Sequence, residues 1–267
     1  MTKTIFKTIA SLFFLSLTSP SLLANPELKK VFGDSYIPRS EWSEHVRDYD
    51  TLLKNKKIDL DDGKDVCIIN HSVTGSEYYR AKECLPREDE LAIVRAIEKL
   101  HIEDKKWADI GYHFMISPDG TIYEARAPRF VGAHTFRSNK RSIGIAFLGC
   151  YDSVGCPAEG YQVTEVNEDM IQATARLIAH LSKKGCTLGD KETECFPITK
   201  ETVVSRSVHD TKKFGSTSFP YSPGNLIIAE MDNLLKQASQ FRTELDTEEA
   251  MGKVADAIEQ ILKDLKI

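Results

Sequence analysis

The sequence predicts an α/β domain: a central mixed sheet flanked by helices, with a C-terminal amphipathic helix. Three observations predict it. Val66 to Ile69 (VCII) is a short, partly β-branched apolar run that stops at polar Asn70, His71 and Ser72, the pattern of a buried strand. Pro118, Asp119 and Gly120 form a turn signal between two further short apolar segments, as in a hairpin. Helical periodicities alternate with these strands, which places the chain in the α/β class. With 267 residues, 41% hydrophobic and 28% charged, a sizeable core is expected, and collagen-like, low-complexity and wholly disordered classes are excluded.

At the N-terminus, Lys3 and Lys7 precede the apolar run Ile9 to Leu17 and then small and Pro residues. Residues 1–24 read as a secretory signal peptide, and the run is shorter than the roughly 20 residues that span a bilayer. Cleavage is expected after Ala24, although a cut after Ser21 also fits. Its removal takes the formal net charge from −5 to −7, so nothing in the global charge favours nucleic acid. No other stretch reaches membrane-spanning length. The expectation is an exported product, periplasmic or extracellular, whose mature form does not insert in a membrane.

Next along the chain, Leu91, Val94, Ile97 and Leu100 mark a helix within Glu88 to Lys105. Tyr112 to Ile116 and Thr121 to Ala125 are the hairpin strands, and Ser142 to Leu148 is a fourth strand. A helix follows from Thr164 through Ile171, Ala175, Ile178 and Leu181, and another starts near Asn225 after Pro223 and Gly224. Asp246, Thr247 and Glu249 resemble a capping box ahead of Met251, Val254, Ile258, Ile261, Leu262 and Leu265 at helical spacing. That last helix would pack back on its domain or meet a protein partner.

Export makes disulfides expected among the six cysteines. Cys150 with Cys156 and Cys186 with Cys195 would close short loops and leave Cys67 to Cys84, although six cysteines allow 15 connectivities. A metal cluster is the competing reading, but no CxxC spacing is present.

Several segments occur in one order: IPRSEW (Ile37 to Trp42), NHSVTG (Asn70 to Gly75), WADIGYHFMISPDGTIYEAR (Trp107 to Arg126), GAHT (Gly132 to Thr135), SIGIAFLG (Ser142 to Gly149) and SPGN (Ser222 to Asn225). Together they resemble the peptidoglycan recognition proteins and type 2 N-acetylmuramoyl-L-alanine amidases. The resemblance spans Ile37 to Phe241. It implies residues 25–36 as an N-terminal segment, 37–241 as one amidase-like domain with a groove for the peptide stem of peptidoglycan, and 242–267 as a helical extension.

In the hydrolytic members, the resemblance implies, zinc is held by two His and the Cys of a CPG segment. Three protein ligands leave a fourth position where bound water attacks the amide between muramic acid and L-alanine. Here the first ligand position falls on Asn70, the second on His209 in Val-His-Asp, and the third on Ser222. Neither an amide nor a neutral hydroxyl replaces imidazole and thiolate as a zinc ligand. A Lys or Thr that assists catalysis two residues before the third ligand is replaced by Pro220. Tyr112 matches the active-site Tyr and would be the catalytic residue of an active form.

The expectation is therefore a muropeptide-binding, non-hydrolytic protein without zinc or another cofactor. On the resemblance, His71, Ser72, Trp107, Tyr112, His134 and Asn139 line the groove. Lys140 and Arg141 stand where a cation would pair with the extra carboxylate of a diaminopimelate stem. One alternative is a zinc amidase with a rearranged set, His71 and His209 completed by Asp210 or another carboxylate. The other is a groove recruited to a partner unrelated to peptidoglycan.

Overall fold

The apolar run at Val66 becomes a central strand, β2 (Val66–His71), with neighbours on both sides. A computed structural model describes residues 26–45, 47–61, 63–73, 85–154, 165–183, 196–216 and 221–264. The expected leader lies outside the described residues, as do Cys84, Cys156, Cys186, Cys195, Pro220 and Leu265. The other strands are β1 (Tyr36–Ile37), β3 (Phe114–Ile116), β4 (Ile122–Glu124), β5 (Ser142–Phe147) and β6 (Val203–Ser205).

The sheet order is β1-β4-β3-β5-β2-β6, parallel at every pairing except the β3–β4 hairpin. Both faces of a parallel sheet are covered, so β2 and β5 read as continuous apolar runs rather than alternating ones. β2 pairs with β5 from Val66↔Ser142 to His71↔Phe147 and with β6 from Cys67↔Val203 to Ile69↔Ser205. The ends of β2 and β6 thus lie side by side. Gly120 closes the hairpin at φ +81°, and a Cβ there would lie 2.7 Å from the Asp169 carbonyl oxygen.

Seven helices are found among the described residues. Three are short: α1 (Pro26–Phe32), α2 (Arg39–Trp42) and α3 (Tyr49–Lys54). α4 (Arg87–Lys99) runs into one π turn, Leu100–Asp104. α5 (Glu168–Leu181) opens on Asn167, whose side chain accepts the Asp169 N–H. α6 (Arg206–Phe214) opens on Ser205 and ends at left-handed Gly215, and α7 spans Asn225–Asp264. One apolar core joins Ile69, Ile97, Phe147, Ile178, Ile227 and Leu234, and Leu28 and Tyr36 belong to it, so the N-terminal segment packs with the domain.

Three expectations need correction. Cys67 is a free, fully buried thiol on the central strand, not half of a Cys67–Cys84 bridge, and burial pushes its pKa up. Cys150, in contrast, is disulfide-bonded as expected, to a partner outside the described residues. The two C-terminal helices are one: α7 runs through Asp246 without a break, and Thr247 Oγ1 donates to the Thr243 carbonyl inside it. No proline interrupts residues 225–264, so a capping pattern alone does not start a new helix. Its first half packs on α5 through Ile227, Leu234 and Ala238. Residues 248–264 are all exposed and do not fold back, leaving Met251, Val254, Ile258, Ile261 and Leu262 as an uncovered stripe. Among the described residues no helix is long and apolar enough to cross a membrane.

Candidate functional site

In parallel sheets, functional groups collect beyond the carboxyl ends of the strands. β2 ends there on His71 and Ser72, β6 is followed by Arg206, and these side chains line one groove of about 430 Å³. The other walls come from the end of α4 and its π turn (Ile97, Leu100, His101), from Lys105, Trp107 and Tyr112, and from Ala133, His134, Phe136, Asn139, Val73 and Ser222.

His71 is buried and its Nδ1 accepts the Tyr151 N–H at 3.3 Å. Burial lowers its pKa from 6.5 to about 4, partly opposed by Asp152. The ring is neutral near pH 7 and, with Nδ1 engaged as an acceptor, carries its proton on Nε2. Ser72 Oγ accepts the Gly149 N–H.

The aromatic wall is a stack. Trp107 lies on His101 with ring centroids 4.7 Å apart, Tyr112 is 5.6 Å from His101, and Lys105 Nζ sits 5.0 Å over Trp107. Burial, reinforced by Lys105, lowers His101 to about 4. Burial raises the Tyr112 hydroxyl, with Arg206 opposing.

His134 lies flat against the backbone of Gly144, where a Cβ would sit 2.3 Å from its ring. This close approach is the reason for glycine in the SIGIAF strand. Burial holds His134 well below its usual range, with Lys64 and Arg206 adding to the effect. Its Nδ1 meets Thr135 Oγ1 at 3.0 Å and its Nε2 meets Ser142 Oγ at 3.3 Å. Asn139 Oδ1 accepts the His134 and Thr135 N–H groups, which holds this loop in place.

The SPGN turn is fastened to the segment after β5. Leu226 N–H donates to the Tyr151 carbonyl, and Asn225 Oδ1 accepts the Ser153 N–H. A Cβ on Gly224 would lie 2.3 Å from the Tyr151 carbonyl group, so only glycine fits. Ser222 is thereby held against α6, its carbonyl accepting the Ser207 N–H at 2.9 Å.

The structure brings His71, Ser72, Trp107, Tyr112, His134 and Asn139 together and leaves four expected residues out. Asn70 points away from the groove, as strand alternation demands of the residue beside His71; its Nδ2 donates to the Ile68 carbonyl. His209 is outside the lining and meets Ser138 Oγ at 2.9 Å. Arg141 is turned to the start of β2, where its guanidinium pairs twice with Asp65 at 2.6 Å and its N–H donates to Asp61. Lys140 is exposed and does not line the groove. The sequence reading missed Arg206, His101, Lys105 and Phe136. The register of β6 against β2 identifies Arg206, since the residue after β6 comes beside the end of β2.

Arg206 is buried, 3.6 Å from Asp210, and the dominant effect of desolvation lowers its pKa. A guanidinium remains charged at any ordinary pH. Zinc, which the family's hydrolytic members hold, does not fit this donor set. Ser222 offers a neutral hydroxyl, His71 presents an N–H rather than a lone pair, and Arg206 adds a positive charge. Among the described residues no three His, Cys, Asp or Glu side chains cluster to hold a metal.

Comparison with known proteins agrees with this architecture. The N-acetylmuramoyl-L-alanine amidase (Amidase_2) family profile matches residues 61–217. Peptidoglycan-recognition protein LE of Drosophila melanogaster is 35% identical over 119 residues, 43% of this chain and 30% of that protein. Peptidoglycan-recognition protein SC2 of the same organism is 34% identical over 124 residues, 46% of this chain and 59% of that protein. The matches thus span less than two thirds of either relative. The structure of bumblebee PGRP-SA superimposes with a TM-score of 0.51 at 25% identity, covering 74% of this chain and 93% of that one.

Proposed function

This chain belongs to the N-acetylmuramoyl-L-alanine amidase family, and from that premise we propose that it is an exported protein that binds muropeptides without hydrolysing them. One observation carries the reading. The groove keeps an aromatic and polar wall suited to a glycan-linked peptide, Trp107, Tyr112, His71 and His134, while Arg206 and Ser222 in the same lining supply neither an imidazole nor a thiolate for zinc. Arg206, directly after β6, shares the groove lining with Ser222, whereas His209, which the resemblance sets at the second ligand position, is outside that lining. Asn70, directed away, and His209, outside the groove, then take no part in chemistry. Without a metal-bound water, Tyr112 has no nucleophile to assist, and it serves as a binding surface.

The test is incubation of the purified protein, supplied with stoichiometric zinc, with peptidoglycan. Metal content, released L-alanine amino termini and binding of soluble muropeptide are measured together. The expected result is saturable muropeptide binding with neither retained zinc nor new amino termini. Zinc near one equivalent accompanied by released stem peptides overturns it in favour of an active amidase. Export rests on residues 1–24, and N-terminal sequencing of the secreted product checks it.

A further inference from the structure

We propose that Arg206 binds a carboxylate of the ligand, so that the groove selects acidic over amidated muramyl ligands. This rests on the muropeptide reading above and deepens it.

The argument begins with charge. The chain carries an excess of acid, 40 Asp and Glu against 35 Lys and Arg, yet among the described residues no Asp or Glu lines the groove, whereas Lys105 and Arg206 do. His71, with Nδ1 engaged by the Tyr151 N–H, offers an Nε2–H donor, while both ring nitrogens of His134 are taken up by Thr135 and Ser142. The charges of the described lining are thus both positive, with Asp210 set behind Arg206 on the α6 side, and the groove walls exclude part of the water that would screen them.

Geometry then selects the kind of anion. Arg206 presents a planar guanidinium, which matches the two oxygens of a carboxylate. Tyr112, with its hydroxyl, and the Nε2–H of His71 supply neutral donors in the same lining. The position is fixed by the fold: Arg206 opens α6 directly after β6, and Ser207 N–H is fastened to the Ser222 carbonyl. Asp210 at 3.6 Å orients the guanidinium from the α6 side. Lys105, over Trp107, adds a second positive charge at the aromatic wall.

A carboxylate could come from the stem peptide or from the lactyl group of a peptide-free muramic acid. The test measures binding of four probes by calorimetry: a muramyl peptide with free carboxylates, the same peptide fully amidated, N-acetylmuramic acid and its lactyl amide. At least one acid is expected to bind about tenfold or more tighter than its amide, the scale of a charged hydrogen bond in a partly dry site. The pair that shows the difference identifies the source. In Arg206→Gln the difference is expected to collapse to about twofold or less, with Arg206→Lys intermediate because it keeps the charge and loses the fork. Equal binding of acid and amide by the unaltered protein overturns the assignment while leaving muropeptide binding intact. Binding of none of the four overturns the muropeptide reading itself. The wild-type comparison needs no variant, so a misfolded Arg206→Gln does not remove the test.

Discussion

Two buried polar clusters in this domain handle charge in opposite ways. Around Asp109, beneath the short N-terminal helices, opposite charges and donors meet. Arg39 lies 2.7 Å from Asp109 and 2.8 Å from Glu98, Tyr49 donates to Asp109 at 2.9 Å, and Arg126 donates to the Ile110 and Asp109 carbonyls. The groove at the carboxyl end of β2 instead has neutral histidines and two cations, with Asp210 behind Arg206 and no carboxylate among the described lining residues. A charge-matched cluster has little left to offer a ligand and serves to hold α2 and α3 against α4. An imbalanced one is kept at some expense in stability and is the better place to look for binding.

The largest way to break this contrast is Asp109→Ala. It leaves Arg39 and Arg126 without their central anion and is expected to cost about 3–5 kcal/mol in denaturant unfolding. Muropeptide affinity at a temperature where the variant is folded should stay close to wild type. A large affinity loss in the folded variant would show that the two clusters are not separate in function.

Acid is expected to act through the groove. His71 has its folded pKa depressed from 6.5 to about 4, so the unfolded chain binds a proton that the folded one refuses. The stability this contributes is present above pH 6.5 and is lost as pH falls from about 6.5 to about 4, at most about 3 kcal/mol for this one ring. His101, His113 and His134 shift the same way. Glu90 opposes them: burial raises it from 4.5 to about 7, so its contribution is present at low pH and lost as pH rises through that window. With His180 and His209 lowered as well, six depressed histidines outweigh the raised Glu90, and urea midpoints should fall between pH 6.5 and 4. His71→Gln should flatten that slope, and a flat profile in the wild type would refute the account.

Gly144→Ala is expected to have the smallest stability effect and to fall mainly on binding. The added methyl would occupy the place of the His134 ring, costing about 1–3 kcal/mol as overpacking and pushing His134 toward the ligand. Muropeptide titration of the folded variant should show a loss exceeding that of Asp109→Ala. The reverse order would assign the groove histidine a purely structural role.

Elements with strong local patterns were legible in the sequence: β2 as an apolar run, the β3–β4 hairpin from Pro-Asp-Gly, α4 and α5 from their apolar stripes. The two- and three-residue strands β1 and β6 were not, because so short a segment carries no period; what makes them strands is pairing with β4 and β2. The continuity of α7 was hidden by a capping pattern at Asp246 that the helix absorbs. At the site, His71, Trp107, Tyr112, His134 and Asn139 came from motif blocks local in sequence. The resemblance sets the second ligand position on His209, whereas Arg206, three residues earlier, reads in sequence as an ordinary surface residue in the first turn of a helix.

The sequence by itself determined the family, the α/β class and the aromatic wall of the groove, since each rests on residues near one another in the chain. The tertiary structure decided which side chains reach the floor. β6 is more than 130 residues beyond β2 in sequence, and only their parallel pairing sets Arg206 beside the end of β2. Alternation along β2 then turns His71 inward and Asn70 away, and the approach of Gly224 to Tyr151 brings in Ser222. A ladder between distant segments is a non-local choice, made by burial and backbone hydrogen bonding together, and no window of sequence contains it.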